Sequence, residues 1–226
     1  MELAYVKSEL HNSITTIEFF HPQSNSLPGK ILEQLSEAIQ VAGNENKVKV
    51  IILKSAGEKA FCAGASFDEL IAIKTKEEGL EFFSSFANVT NAMRTCPKFI
   101  IGRIHGKCVG LAAAVDYAIA TESAEVKLSE LAVGIGPFVV GPAVERKIGA
   151  SAFSQLAIDA SLWRNAEWAR GNGLYAELHP DTEFMDASID RLADTLAHSS
   201  PEAMAEMKKI FWKGTEHWDK LLMERA

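Results

Sequence analysis

An α/β fold of strand–strand–helix units, followed by a C-terminal helical part, is the architecture that this chain of 226 residues favours. Up to Pro137, short apolar runs rich in β-branched residues alternate with longer stretches of helical periodicity. From Phe138 onward, almost every segment has the spacing of a helix. No linker rich in Gly, Ser or Pro divides the chain. We therefore expect an α/β core over residues 1–137 and a helical part over residues 138–226.

Local signals predict the elements of the N-terminal part. Two runs that flank His11–Ser13 favour a β-hairpin, and Pro28 can begin the first helix. Strands are predicted at Leu3–Leu10, Ile14–Phe20, Val48–Leu53, Phe99–Ile104, Tyr117–Ala120 and Glu125–Leu128. Further helices are predicted after a Ser66 N-cap, at Lys76–Arg94 and at Leu111–Val115.

The C-terminal part is predicted to consist of helices. They are expected at Phe138–Ile148, Ser151–Asp159, Ala166–Gly171, Phe184–Ala197 and Pro201–Phe211, with a last one from Thr215 onward. The four tryptophans of the chain lie in this helical part and are expected to pack: Trp163, Trp168, Trp212 and Trp218.

Charge and cysteine usage restrict the functional classes. The net charge is −7, and no run of Lys or Arg exceeds the pair Lys208–Lys209, which argues against nucleic acid or an anionic membrane as the main partner. The odd count of three cysteines shows no metal-binding spacing and fits a reducing compartment. The N-terminus lacks the features of a signal peptide, and no apolar run is long enough to span a bilayer. We expect a cytoplasmic protein that binds no metal.

The segment Ala60–Leu70 carries the strongest functional signal. It follows an apolar strand, and its small residues precede a helix start at Ser66, where backbone N–H groups are unpaired. Small side chains would let a ligand approach those N–H groups closely. The pattern is also typical of a turn kept small for packing. If functional, the segment could form an oxyanion hole.

The string Ala-Phe-Cys-Ala-Gly-Ala at Ala60–Ala65 closely resembles the signature of the crotonase superfamily, the enoyl-CoA hydratases and isomerases. Asn25–Leu27, His105–Gly110 and Lys127–Gly134 match further family motifs in the same order. The resemblance implies a spiral of β-β-α units whose C-terminal helices build a homotrimer or homohexamer. It also implies an acyl-CoA thioester substrate, with coenzyme A as part of the substrate and no separate cofactor.

The resemblance assigns roles residue by residue. The N–H of Ala65 would donate to the thioester oxygen, and Glu130 would move a proton at the acyl chain. The second donor would be the N–H of Gly110 or of Leu111, supplied through a rearranged turn. A glutamate at the end of a strand is usually a solvent-exposed residue with no catalytic role. Here, however, Ser129-Glu130 followed by Gly134 matches the second catalytic glutamate of the family. Substrate contacts are expected at Ala63, Ala65, Ser66, Phe67, Asp68, Gly110, Pro137 and Phe138.

Two departures from the family pattern bear on the reaction. Gly110 runs directly into Leu111, so the glycine triplet and the other glutamate of the hydratases are missing. Asp116 is the nearest carboxylate, and we expect a structural role for it. Phe138 stands where hydratases have a small residue, and packing is its expected role. Of the six histidines, only His105 lies beside the expected site.

The resemblance therefore implies an enoyl-CoA hydratase/isomerase that stabilises a thioester enolate. A Δ3–Δ2 enoyl-CoA isomerase, which needs only one base, fits the single glutamate equally well. A non-catalytic acyl-CoA-binding subunit is the alternative if the second N–H donor is absent. Ile210, Phe211, Trp212 and Trp218 are expected to form an apolar patch that an oligomer would cover.

Overall fold

The computed structural model describes residues 3–226, so Met1 and Glu2 of the expected N-terminal part lie outside the described residues. Its main sheet has six strands in the order β1-β2-β4-β6-β7-β8, and β3 and β5 form a small second sheet. The strands are β1 Tyr5–His11, β2 Ile14–Phe20, β3 Ser26–Leu27, β4 Val50–Ser55, β5 Gly64–Ala65, β6 Phe99–Ile104, β7 Tyr117–Thr121 and β8 Glu177–His179.

The main sheet combines one hairpin with parallel strands. β1 and β2 are antiparallel, with Tyr5 opposite Phe20, and Asn12 and Ser13 between them have φ angles of 47° and 67°. Two consecutive positive φ angles are those of a type I′ turn, which matches the twist of the flanking strands. All later neighbours in the sheet are parallel. Parallel neighbours need crossover connections, and the helices between the strands supply them.

The helices surround this sheet. They are α1 Gly29–Asn44, α2 Phe67–Ala72, α3 Lys76–Thr95, α4 Gly110–Ala114, α5 Gly141–Ile158, α6 Ala166–Gly171, α7 Thr182–Ala197, α8 Pro201–Phe211 and α9 Trp218–Arg225, with a 3₁₀ helix at Glu130–Val133. No helix within residues 3–226 is both long enough and apolar enough to cross a membrane.

The core lies on both faces of the main sheet. On one face, Met185, Ile189 and Ala193 of α7 pack against Val50 and further apolar side chains of β4, β6 and β7. A larger cluster on the other face includes the buried sides of α1 and α3. Strands covered on both faces read as continuous apolar runs, which explains why β4 and β6 are so apolar.

Most predicted elements are confirmed, and β6, α6 and α8 have the predicted bounds. The predicted strand Glu125–Leu128 is wrong, because only Val126 forms a bridge there, with Arg164. The two helices predicted from Phe138 to Asp159 form α5, which begins only at Gly141 and kinks at Gly149, where φ is 76°. The C-terminal part also contributes β8, a strand that the sequence analysis missed.

Candidate active site

Three backbone segments run side by side at the end of the main sheet. Ala60 forms a parallel bridge with Lys107, and the N–H of Cys62 donates to the carbonyl of Lys107 at 3.2 Å. On the other side, the N–H of Cys108 donates to the carbonyl of Glu125 at 3.3 Å. Ala65 follows Cys62 in the first segment, Gly110 follows Cys108 in the second, and Glu130 follows Glu125 in the third. Backbone hydrogen bonds thus place side by side the three segments that carry the predicted site residues.

Glycine is required where the first two segments meet. Gly106 has a φ of 65°, and a Cβ atom there would lie 2.8 Å from the carbonyl oxygen of Lys59. Any other side chain would push the segments apart. Next to it, the imidazole Nε2 of His105 donates to the carbonyl oxygen of Gly57 at 2.7 Å. Burial, and then the charge of Arg103, lowers the pKa of His105, so this histidine is a neutral structural link.

The start of α2 is built as the sequence predicts. Ser66 is its N-cap, and the side chain accepts a hydrogen bond from the N–H of Glu69 at 3.3 Å. The Glu69 carboxylate does not return to this cap; it accepts from the N–H of Gly29 at 2.8 Å, at the start of α1. Asp68 accepts from the Gln23 side chain at 3.0 Å. The turn is thereby tied to the segment before α1.

The expected substrate contacts around this turn differ in exposure. Ala63, Phe67 and Asp68 are exposed, Ala65 is half-buried, and the Ser66 side chain is buried. Phe67 is 57% exposed, which is unusual for a large apolar side chain. Their roles toward a substrate stay predictions.

Gly110 begins α4, a helix of only five residues that leads through Val115 and Asp116 into β7. A Cβ atom on Gly110 would lie 3.4 Å from Val140 Cγ1, so this turn abuts the residue before α5. Between Gly110 and Asp116 the chain carries no acidic side chain, because Leu111–Ala114 and Val115 are all apolar. The residues Leu111–Val115 therefore supply no second acid beside Gly110.

Glu130 opens the 3₁₀ helix Glu130–Val133. This turn is closed by Gly134, which has a φ of 83° and donates its N–H to the carbonyls of Glu130 and Leu131. The Glu130 side chain is half-buried, whereas Leu131 and Val133 are 56% and 53% exposed. Burial raises the pKa of the Glu130 carboxyl above its usual value of 4.5, and backbone hydrogen bonds at Glu130 and Ser129 only partly oppose this effect.

Asp116 belongs to the scaffold. Its carboxylate forms an ion pair with Lys208 at 2.7 Å, and both side chains are buried. It also accepts hydrogen bonds from the N–H of Ile100 at 2.8 Å and from Trp212 Nε1 at 2.9 Å. A carboxylate with three partners, held between β6 and α8, is not available for proton transfer. The expected structural role is confirmed.

Pro137 and Phe138 lie in the turn before α5. The carbonyl of Pro137 accepts from the N–H of Gly141 at 2.7 Å, and the N–H of Phe138 donates to the carbonyl of Gly136 at 2.8 Å. The Phe138 ring lies over Gly136 but is 62% exposed. Most of the Phe138 side chain is exposed, so the expected packing role is wrong. The sharp turn at Pro137 holds the ring outward.

Asn25, within the family motif Asn25–Leu27, is a residue of the site whose role the sequence does not predict. Asn25 is buried at 2% exposure, and its side-chain amide makes three hydrogen bonds to the backbone around the signature segment. Its partners are backbone groups, which a sequence does not display. Its neighbour Ser26 donates its hydroxyl to the carbonyl of Ala65 at 2.9 Å.

Comparison with known proteins identifies the family. The model of the enoyl-CoA hydratase/isomerase family matches residues 9–224, nearly the whole chain. The chain belongs to the enoyl-CoA hydratase/isomerase family. Its fold agrees with this, since a crotonase structure from Legionella pneumophila superposes with a TM-score of 0.87 at 27% identity, covering 95% of this chain and 85% of that one.

Curated members of the enoyl-CoA hydratase/isomerase family are similar at lower coverage. The chain is 30% identical over 217 residues to YngF of Bacillus subtilis, which is named for this family, covering 93% of this chain and 81% of YngF. It is 29% identical over 189 residues to the mitochondrial methylglutaconyl-CoA hydratase of Mus musculus, covering 81% of this chain. The chain spans only 60% of that mouse relative.

Proposed function

We propose that this protein acts on acyl-CoA thioesters by one-base proton transfer, moving a double bond from C3 to C2 of an enoyl-CoA. The family supports an acyl-CoA substrate, since its members are enoyl-CoA hydratases and isomerases. Isomerisation is favoured over hydration because, of the two carboxylates considered for catalysis, only Glu130 is free to transfer a proton. Glu130 is half-buried with a raised pKa, whereas Asp116 is locked in a buried ion pair.

The chemistry requires only one carboxylate. Ionised Glu130 removes a proton from C2 of a 3-enoyl thioester, and the electron pair moves into the thioester carbonyl to form a dienolate. Backbone N–H groups at Ala65 and Gly110 stabilise the negative oxygen of this dienolate. Glu130 then returns the same proton to C4, which leaves the double bond between C2 and C3. A raised pKa makes the carboxylate a stronger base for the first step.

Hydration makes a second demand, because a water molecule must be held and activated beside C3. In the hydratase pattern, two carboxylates share this work. Here, the chain between Gly110 and Asp116 offers only apolar side chains. We infer that water has too few partners at this site and that hydration is slow.

Isotope exchange tests the proposed proton transfer directly. A saturated acyl-CoA in deuterated water should exchange its C2 hydrogens when the enzyme is added, because exchange needs only Glu130 and the oxyanion hole. Mass spectrometry measures the deuterium gained, and Glu130→Gln is the matched control. Exchange that is equally fast with Glu130→Gln would contradict the role of Glu130. Binding of the acyl-CoA without exchange or turnover would support the non-catalytic alternative instead.

A further inference from the structure

We infer that Asn25, together with Ser26, is a positioning residue that fixes the backbone segment Ala63–Ala65. This inference rests on the proposed function, because that segment carries the proposed Ala65 N–H donor. The Asn25 amide nitrogen donates to the carbonyl oxygens of Ala56 at 2.8 Å and Ala60 at 2.9 Å. The amide oxygen accepts from the N–H of His21 at 2.7 Å.

These contacts hold the segment before Ala63, and backbone contacts continue the same attachment. The N–H of Ala63 donates to the carbonyl of Asn25 at 3.0 Å, and the N–H of Ser66 donates to the carbonyl of Leu27 at 3.0 Å. The Ser26 hydroxyl donates to the carbonyl of Ala65 at 2.9 Å. The peptide groups on both sides of the proposed donor are thereby tied to the segment Asn25–Leu27, which includes β3.

Only an asparagine meets all the requirements at position 25. The amide faces two carbonyl oxygens with its donors and one N–H with its acceptor, so a carboxylate would place negative charge against two acceptors. The backbone φ of Asn25 is 56°, a left-handed conformation that Asn tolerates better than most other residues with a side chain. The Asn25 side chain is only 2% exposed, and its amide forms hydrogen bonds with three backbone groups. A buried polar group of this kind destabilises the fold if its hydrogen bonds are lost, so it rigidly fixes the backbone around it.

The position of an oxyanion donor matters strongly for rate. Misplacing a reacting group by about 1 Å can cost about 10²-fold in rate, even when the change lies away from the chemistry. Loss of the Asn25 amide would let the loop Ala56–Ala60 relax and move the donor. The binding of the rest of coenzyme A would change less, because it does not depend on this one N–H.

The test compares Asn25→Gly with Ser24→Gly. Glycine suits the left-handed backbone at both positions, since Ser24 has a φ of 55°, but only the first variant loses the clamping amide. We expect Asn25→Gly to lower kcat for the 3-enoyl-CoA by about 10- to 100-fold, with a smaller change in KM. Ser24→Gly should leave kcat unchanged. If Asn25→Gly does not fold, Ser26→Ala, which removes only the bond to Ala65, should lower kcat in the same direction by less.

A spectroscopic readout separates positioning from mere stability. A bound 2,4-dienoyl-CoA absorbs at longer wavelength when hydrogen bonds polarise its thioester carbonyl. The wild type should shift this band, Ser24→Gly should retain the shift, and Asn25→Gly or Ser26→Ala should reduce it. A full shift and full kcat in folded Asn25→Gly or Ser26→Ala would overturn the positioning role alone. No shift in the wild type would contradict the proposed oxyanion hole and this inference with it.

Discussion

Glu130 lies in a turn where the usual placement of side chains is inverted. Its carboxylate is half-buried, while the apolar Leu131 and Val133 beside it are more than half exposed. Folding alone would favour the opposite arrangement, because charged groups lose hydration when buried. A partly desolvated carboxyl group with a raised pKa is typical of a residue that transfers protons in catalysis.

The first prediction concerns turnover. Glu130→Gln keeps the size and hydrogen-bonding reach of the side chain but cannot accept a proton. We expect kcat for a 3-enoyl-CoA to fall by about 10²–10⁴-fold, the usual contribution of a positioned acid or base. Coenzyme A binding, measured by calorimetry, should be retained. A variant that turns over as fast as the wild type would exclude Glu130 as the base.

The second prediction concerns stability and its pH dependence. Because the folded-state pKa of Glu130 is raised, the folded state binds more protons than the unfolded state above pH 4.5, and its stability falls as pH rises through that window. The cost is absent below the unfolded pKa and complete above the folded pKa. Glu130→Gln removes the ionisation and with it this cost.

Thermal unfolding followed by circular dichroism measures this effect. Glu130→Gln should have a higher Tm than the wild type at about pH 8, and the difference should shrink towards pH 4. The signature is thus a variant that is more stable and less active. A Tm difference that is independent of pH would show that burial does not raise the pKa of this group.

At the scale of elements, strong local signals predicted the fold and weak ones failed. β6 and the capped helix α8 carry unambiguous patterns and were predicted to the residue. β8 is three residues long and forms only because β7 offers an edge, so its own sequence contains little information. Polar and apolar residues alternate in the run Glu125–Leu128, as in a strand. Its backbone nevertheless forms only isolated hydrogen bonds, such as those with Cys108 and Arg164, and no continuous β-ladder.

The candidate site divides in the same way. The Ser66 cap has a local signature, so it could be predicted from the sequence. The 3₁₀ turn that begins at Glu130 could not, since the sequence placed Glu130 at the end of a strand. The hydrogen bonds of the Asn25 amide and the ion pair of Asp116 with Lys208 could not be predicted, because both depend on groups that lie far away along the chain. Backbone carbonyls, such as those of Ala56 and Ala60, have no sequence signature at all.

The third prediction tests the structural role of Asp116. Lys208→Met would leave the buried Asp116 carboxylate without its cation, and we expect a loss of about 3–5 kcal/mol in the free energy of unfolding. Lys209→Met is the matched control. Its ion pair with Glu206 is about 70% exposed on both sides and should contribute about 1 kcal/mol or less.

Urea unfolding gives both free energies. The kcat of folded Lys208→Met, measured well below its Tm, should equal that of the wild type, because Asp116 takes no part in proton transfer. A large fall in kcat without loss of stability would contradict the purely structural role of the ion pair between Asp116 and Lys208.

At the scale of the whole molecule, the fourth prediction is a trimer or a dimer of trimers. The expected patch is smaller than the sequence suggested, because Trp212 and Trp218 are buried at 5% and 6% exposure and pack edge to face. Ile210 and Phe211 stay 69% and 50% exposed on α8. Light scattering should report three or six times the chain mass of 24.7 kDa. A single-chain mass at micromolar concentration would contradict the prediction.

The most direct test of the one-base account compares two reactions of one enzyme. The rates are measured with a 3-enoyl-CoA and a 2-enoyl-CoA of equal chain length at the same enzyme concentration. With Glu130 as the proposed base and only apolar side chains between Gly110 and Asp116, isomerisation of the 3-enoyl substrate should be much faster than hydration of the 2-enoyl substrate. Hydration at roughly 10 s⁻¹ or faster, the rate of an ordinary metabolic enzyme, would contradict the account and make the protein a hydratase.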